Sequence, residues 1–300
     1  MMLSVFVAAA LQAGSLPVQT AVRSGGAAPV RPSSQVSAIP ARRPPKSAPT
    51  KTLPARTLAR VVIDAGHGGP DVGGPMRMGT GIHEKDVTLQ VALKVGEALR
   101  QRGVDVVYTR TKDTLIALRD RGKIANQANG DVFISIHVNA ANPGWRDPGA
   151  ARGFETYFLA EAKTEDARRV EEMENESVRF EATPDVSADD PLNFILSDMK
   201  QNEHLRESSD LAEIVQRHLG QMHPGPSRGV KQAGFRVLVT AFMPAVLVEI
   251  GFGTNVAEAE FLASPTKQRM IARAVADATT EYLGRYQRRV GGGAASSGHD

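Results

Sequence analysis

Residues 61–69 read VVIDAGHGG, an apolar run that passes through an acid into a histidine flanked by glycines. Val61, Val62 and Ile63 are β-branched and suit a strand covered on both faces. The glycines permit a tight turn, so His67 can be presented outward from the end of a rigid strand. The same letters also read as an ordinary glycine turn that contains a histidine. Outward from this stretch, strand patterns occupy 60–64, 104–109, 132–136, 153–159, 235–240 and 245–250. Helical patterns separate them. From Glu84 onward Val87, Val91, Val95 and Leu99 recur at helical spacing, and Gly103 follows where a helix would stop. Further helices are expected at 115–129, 164–181, 190–222 and 266–287. Strands alternating with helices predict an α/β layered domain with a largely buried sheet, from about residue 59 to 288.

The flanks have a different composition. Residues 1–59 hold seven Lys/Arg and no Asp/Glu, which leaves 29 basic against 33 acidic residues in the remainder. The overall charge of +3 therefore belongs to the N-terminal tail, and the domain itself is near −4. Residues 1–16 hold a short apolar run followed by small residues and read as a signal peptide without a basic n-region, which implies export to the periplasm or cell envelope. Residues 17–58 are rich in Pro, Ala, Ser and Arg, lack aromatic residues, and cannot bury enough apolar surface to offset their conformational entropy. They are expected to form a disordered tether, and 289–300 a flexible tail. Such a tether either is simply solvated or adheres to an anionic polymer. No nucleic-acid motif is visible, and no run approaches the ~20 apolar residues needed to span a bilayer. The absence of cysteine is compatible with an exported protein and excludes no compartment.

Four polar residues stand where packing alone would not ask for them: His67 in IDAGHGG, Glu84 in GIHEKD at a helix start, His137 in FISIHVNA and Glu249 in AVLVEIGFGTN. Two imidazoles and a carboxylate are a frequent ligand set for catalytic zinc, leaving one position open. A carboxylate inside an apolar stretch, as at Glu249, is costly unless paired, metal-bound or used. Each residue also has a structural reading. His67 can be a turn residue, Glu84 a charge favoured by the helix dipole, His137 a strand-end residue bonded to backbone, and Glu249 the partner of a buried arginine. Taken together they point to one site, because strand ends of an open α/β sheet gather at one crevice.

The ordered series IDAGHGGPDVGG, HEKDVTL, VVYTRTKD, LRDRGKIAN, DVFISIHVNA, RGFETYFL, RGVKQAGFRVL and PAVLVEIGF resembles the zinc-dependent N-acetylmuramoyl-L-alanine amidases of bacterial cell walls, over about residues 60 to 285. The resemblance implies a single α/β domain around a mixed, roughly six-stranded sheet. It implies zinc held by His67, Glu84 and His137, with Glu249 as the catalytic carboxylate. The substrate would be peptidoglycan, cut between the lactyl group of N-acetylmuramic acid and L-alanine, and relatives of this kind can be switched on by a protein activator; the chain itself is expected to be a monomer. Two features depart from the pattern: a long stretch between Asp71 and Glu84, and Thr254 where a serine is common. Other readings are another zinc peptidase acting on wall peptides and an inactive wall-binding protein.

Between Phe158 and Arg228 lies an insertion. Its second half, with Leu192, Ile195, Met199, Leu205, Leu211, Ile214, Val215 and Leu219, reads as a core-packing helix. Its first half, 161–181, is dense in glutamate and reads either as a solvated helix face or, by the resemblance, as an element covering the zinc cleft. In the second case Glu174, central in the run, is the expected plug.

Overall fold

The computed structural model describes residues 58–77, 81–181 and 191–294, of which 191–203 and 290–294 are described by backbone alone. Residues 1–57, where the signal peptide and most of the tether are expected, and 295–300 lie outside the described residues. Six strands form one sheet: β1 (Arg60–Ala65), β2 (Asp105–Tyr108), β3 (Val132–Asn139), β4 (Phe154–Leu159), β5 (Ser227–Ala233) and β6 (Ala245–Phe252). Their order is β2-β1-β3-β6-β4-β5. β1, β2, β3 and β6 are mutually parallel, β4 is antiparallel to β6, and β5 is parallel to β4. This is the mixed six-stranded α/β sheet expected from the sequence.

The apolar runs of β1, β3 and β6 are almost continuous because both faces of the sheet are covered. Val61, Ile63, Ile134, Ile136, Val246 and Val248 point to one side, into a core shared with α1 (Glu84–Arg100), α4 (Pro191–Gly220) and α7 (Pro265–Ala294). Val62, Phe133, Tyr157, Ala245 and Leu247 point to the other, toward α2 (Leu118–Gln127), α3 (Glu165–Asn175) and α5 (Arg236–Val239). The period-2 alternation thus builds two cores on one sheet. A further helix, α6 (Val256–Ala263), was not foreseen and starts on the Asn255 side chain, which accepts from the Glu258 amide.

Some expectations change. Residues 235–240, expected as a strand, form the single turn α5, while the true edge strand β5 lies just before it. The segment SRGVKQA pairs only with β4 and carries mostly polar, half-buried side chains, so it shows no apolar run. FRVLVT has strand-like composition, but its apolar residues are spent on core packing against α2. The segment expected as one helix over 164–181 breaks at Asn175 into a 3₁₀ turn, Glu176–Phe180. Leu205 is exposed instead of core-packed, whereas Leu211, Ile214, Val215 and Leu219 are buried; the side chains of Leu192, Ile195 and Met199 lie outside the described residues. α7 continues past Arg288, where a flexible tail was expected to begin, because Arg289 pairs with Glu207 (2.5 Å) and Asp210 (2.8 Å) of α4.

α2 crosses α5 at Gly122, where an added Cβ would lie 2.6 Å from the Thr240 carbonyl carbon and 2.7 Å from the Ala241 nitrogen. Gly122→Ala should therefore lower stability by about 1–3 kcal/mol through overpacking, although alanine is the better helix former by ~1 kcal/mol. Urea denaturation measures this; a more stable variant would show that the crossing is loose.

Candidate metal centre

His67 lies directly beyond β1, with φ 59°, a left-handed backbone that few non-glycine residues adopt. Two buried arginines hold this turn from behind. Arg110 donates from Nε to the Ala65 carbonyl (3.0 Å) and from its terminal nitrogen to that of Gly66 (2.7 Å). Arg121 donates to the carbonyls of Ala65 (2.7 Å) and His67 (3.0 Å) and pairs with Asp64 at 3.0 Å. Asp64 also accepts from Thr109 (2.5 Å) and Ser135 (2.6 Å). Burial, the largest influence on Asp64, pushes its pKa up, but Arg121 and the two hydroxyls together hold it below the usual value. Gly66 is required for a different reason: a Cβ there would fall within 2.8 Å of three atoms of the His137 ring.

The remaining groups arrive from separate elements. Glu84 opens α1, and its two oxygens accept from the amides of Gly74 (2.6 Å) and Val138 (2.7 Å). His137 sits on β3, directly in register with Glu249 on β6, which is in turn paired with Glu155 on β4. His67 Nδ1 lies 2.9 Å from Asp71 Oδ2, which fixes the ring and turns Nε2 inward. That nitrogen is 3.2 Å from Glu84 Oε1, and His137 Nδ1 is 3.5 Å from the same oxygen.

The fourth member is Glu174. Its Oε2 lies 2.7 Å from His137 Nδ1 and 3.2 Å from His67 Nε2. On α3 the buried residues Ala167, Val170 and Glu174 form one stripe, so the carboxylate occupies a position where an apolar residue would ordinarily pack. Neighbouring glutamates 171, 172 and 176 are off that stripe and not buried. The same segment is strapped down by Asn175 to the Gly234 carbonyl and the Arg236 amide, by Glu171 to the Gly234 amide and by Glu181 to the Leu118 amide.

Ligand atoms of His67, Glu84, His137 and Glu174 all lie within 4.8 Å of one another, and all four side chains are buried. His67 Nε2, His137 Nδ1 and both oxygens of Glu174 have no hydrogen-bond partner of acceptable geometry despite their short separations. Such lone pairs aim at a common point. Donors 2.0–2.1 Å from a tetrahedral zinc stand roughly 3.3 Å apart, and the observed spacings bracket that value. Charge supports the fit. Burial works against the His137 imidazolium, yet Glu174 and Glu84 raise its pKa to about 10, and His67 is likewise raised well above the ordinary value by Glu84 and Glu174. The pocket therefore demands positive charge, which a divalent cation supplies.

Glu249 is fully buried, and neither of its oxygens has a hydrogen-bond partner among the described residues. It is not the partner of a buried arginine, since Arg110 and Arg121 are committed to Asp64 and the turn carbonyls. Burial foremost, then the charges of Glu174 and Glu84, push its pKa well above the usual carboxylate range. The structure brings all four sequence-expected residues to one end of the sheet. Asp71, Arg110, Arg121 and Ser177, whose hydroxyl is 3.4 Å from His67 Nδ1, were not singled out. Arg110 carried the same signal as His137, a polar residue directly after a strand. The unusual Thr254 accepts from the Ala141 amide (3.0 Å), a bond any hydroxyl can make.

Residues 61–281 match the family model described as N-acetylmuramoyl-L-alanine amidase. N-acetylmuramoyl-L-alanine amidase AmiA of Escherichia coli is 34% identical over 225 residues, covering 74% of this chain and 75% of that protein. AmiA of Salmonella typhimurium is 34% identical over 235 residues, with 78% and 79% covered. Among solved structures, an N-acetylmuramoyl-L-alanine amidase from Clostridium difficile aligns with a TM-score of 0.57 at 29% identity, covering 76% of this chain and 98% of that one. One from Nostoc punctiforme aligns with a TM-score of 0.54 at 30% identity, covering 75% and 97%.

Replacing Arg121 by methionine would leave Asp64 buried and unpaired, at a cost of about 3–5 kcal/mol. Denaturation should show that loss, with partial recovery in the Arg121→Met, Asp64→Asn double variant. Because the folded pKa of Asp64 is depressed, its contribution is complete above its ordinary value near 3.8 and disappears as pH falls through the lower folded value. Wild type should therefore lose stability relative to Asp64→Asn in acid; parallel pH curves would contradict the assignment.

Proposed function

Because the chain belongs to the N-acetylmuramoyl-L-alanine amidase family, we propose that His67, Glu84 and His137 hold the zinc ion of this peptidoglycan hydrolase and that Glu249 carries its protons. The observation that supports the ligand set is the convergence of buried, partnerless lone pairs on one point. A bound zinc ion would supply Lewis acidity, polarising the scissile carbonyl and easing loss of a proton from water. Asp71 and the amides of Gly74 and Val138 orient the ligands. Glu249, one strand from His137, takes a proton from the attacking water as its oxygen bonds to the lactyl carbonyl carbon. The same proton passes to the alanine nitrogen as the C–N bond breaks. One water is consumed, leaving a lactyl carboxylate and a free L-alanine amine.

Glu174 occupies the position that water and the substrate carbonyl need. We read the arrangement as self-restraint, relieved when a protein activator stabilises the state with α3 displaced. The plug acts twice, since its charge, after burial, also pushes the pKa of Glu249 up. The substrate lies outside the cytoplasmic membrane, so the enzyme acts in the cell envelope during wall remodelling or cell separation, with residues 1–16 serving export. Among the described residues no helix is long and apolar enough to cross a membrane.

Metal analysis of His67→Ala and His137→Ala should show loss of zinc, whereas Glu249→Gln should keep zinc and lose turnover by about 10²–10⁴. Zinc retained in both histidine variants, or near-normal activity of Glu249→Gln, would refute the roles. Glu174→Ala should hydrolyse purified sacculi faster than wild type without an activator; an equal or lower rate would remove the plug.

A further inference from the structure

Beside the metal centre, two cations are held between two carboxylates. Arg228 Nε and Lys231 Nζ, both on β5, donate to the same oxygen of Glu155 at 2.9 and 2.5 Å. The other oxygen of Glu155 accepts from Asn139 (2.5 Å) and Tyr157 (2.8 Å). Glu155 is fully buried and belongs to the sheet, so this half of the cluster is permanent. The outer half is not. A terminal nitrogen of Arg228 and Nζ of Lys231 each donate at 2.8 Å to one oxygen of Asp166, which sits in the first turn of α3.

We infer that Arg228 and Lys231 form a subsite for a carboxylate on the peptide side of the substrate, and that Asp166 occupies this subsite while α3 is down. The inference rests on the amidase reading and on displacement of α3. When α3 leaves, Asp166 goes with Glu174. Two cations then face one carboxylate, with side chains only 25% and 18% exposed. A partly desolvated charge without a partner is costly, so the freed donors require another anion. The donor set matches a carboxylate, with an arginine nitrogen and a lysine ammonium already converging on a single oxygen.

Register sets the distance. His137, Glu249 and Glu155 lie opposite one another on three adjacent strands. At about 4.8 Å per strand, Glu155 is one strand from the proton carrier and about 10 Å from His137. An extended peptide advances about 3.3–3.6 Å per residue, so a carboxylate on the second or third residue beyond the cleaved bond reaches the pair. α3 thus blocks two subsites at once, Glu174 at the ligand set and Asp166 at the cation pair.

The test uses the zinc-loaded full chain and two soluble muramoyl peptides that differ only in a free carboxylate or a carboxamide at the second residue. Wild type should favour the carboxylate in kcat/KM by about tenfold, the scale of one charge-assisted hydrogen bond. Arg228→Gln should bring that ratio near one, and Arg228→Lys should retain most of it. Asp166→Asn, which leaves Glu155 and both cations in place, should lower KM for the carboxylate peptide several-fold more than for the carboxamide. Equal gains for both peptides would make Asp166 a latch alone and overturn the subsite, as would a ratio unchanged by Arg228→Gln. Using ratios cancels any general activation from loosening α3. Release of the alanine amine from the carboxamide peptide reports on the amidase reading separately, so the two can fail independently.

Discussion

The carbonyls of Ala65, Gly66 and His67 are held from behind by Arg110 and Arg121, and the position of everything else at the metal centre depends on that grip. A left-handed residue is strained by about 1–3 kcal/mol and persists only where its surroundings over-determine it. Here the surroundings are two guanidinium groups and the Asp64 carboxylate that neutralises one of them. Because the anchors are buried and bonded to main chain, they fix backbone direction without occupying the cleft. Asp71 then needs to supply only one contact to set the His67 ring.

On that frame the site concentrates negative charge. Glu84, Glu174 and Glu249 lie together in a buried pocket, where Glu84 and Glu174 push the pKa of both imidazoles up against the effect of burial. The arrangement is poor for stability and suited to binding a dication. The carboxylates are treated differently by their surroundings. Glu84 is anchored by two backbone amides, Glu174 meets the two imidazoles and is otherwise placed by the helix that carries it, and Glu249 has no hydrogen-bond partner among the described residues. The roles proposed for them, fixed ligand, removable ligand and proton carrier, match those three environments.

α3 and the row formed by His137, Glu249 and Glu155 share one face of the sheet. His137, Glu249 and Glu155 point toward the side covered by α2, α3 and α5, so a helix laid over that side meets all three strands. Its attachment combines hydrogen bonds to the Gly234–Arg236 backbone and ion pairs to β5 with a short apolar set, the buried Ala167 and Val170 and the partly buried Met173. A segment that buries little apolar surface has a small free energy of opening. That property is what a removable cover requires.

By itself the sequence determined the layered α/β class and the strands β1 to β4 and β6, and it singled out His67, His137 and Glu249, because a polar residue in or after an apolar run is conspicuous in one dimension, and Glu84, for its place at a helix start. Glu174 was chosen for its central place in a glutamate run, whereas its actual distinction is membership of the Ala167–Val170 stripe, which becomes visible only once α3 has a buried side. The edge strand β5 was missed because an edge needs no apolar alternation, and 235–240 was misread because composition cannot tell a strand from a packed turn. The partnerships Asp64–Arg121, Glu155–Arg228 and Asp166–Lys231 join residues 57, 73 and 65 positions apart. Charge pairing over such separations leaves no periodic trace along the chain, so only the tertiary structure decided them.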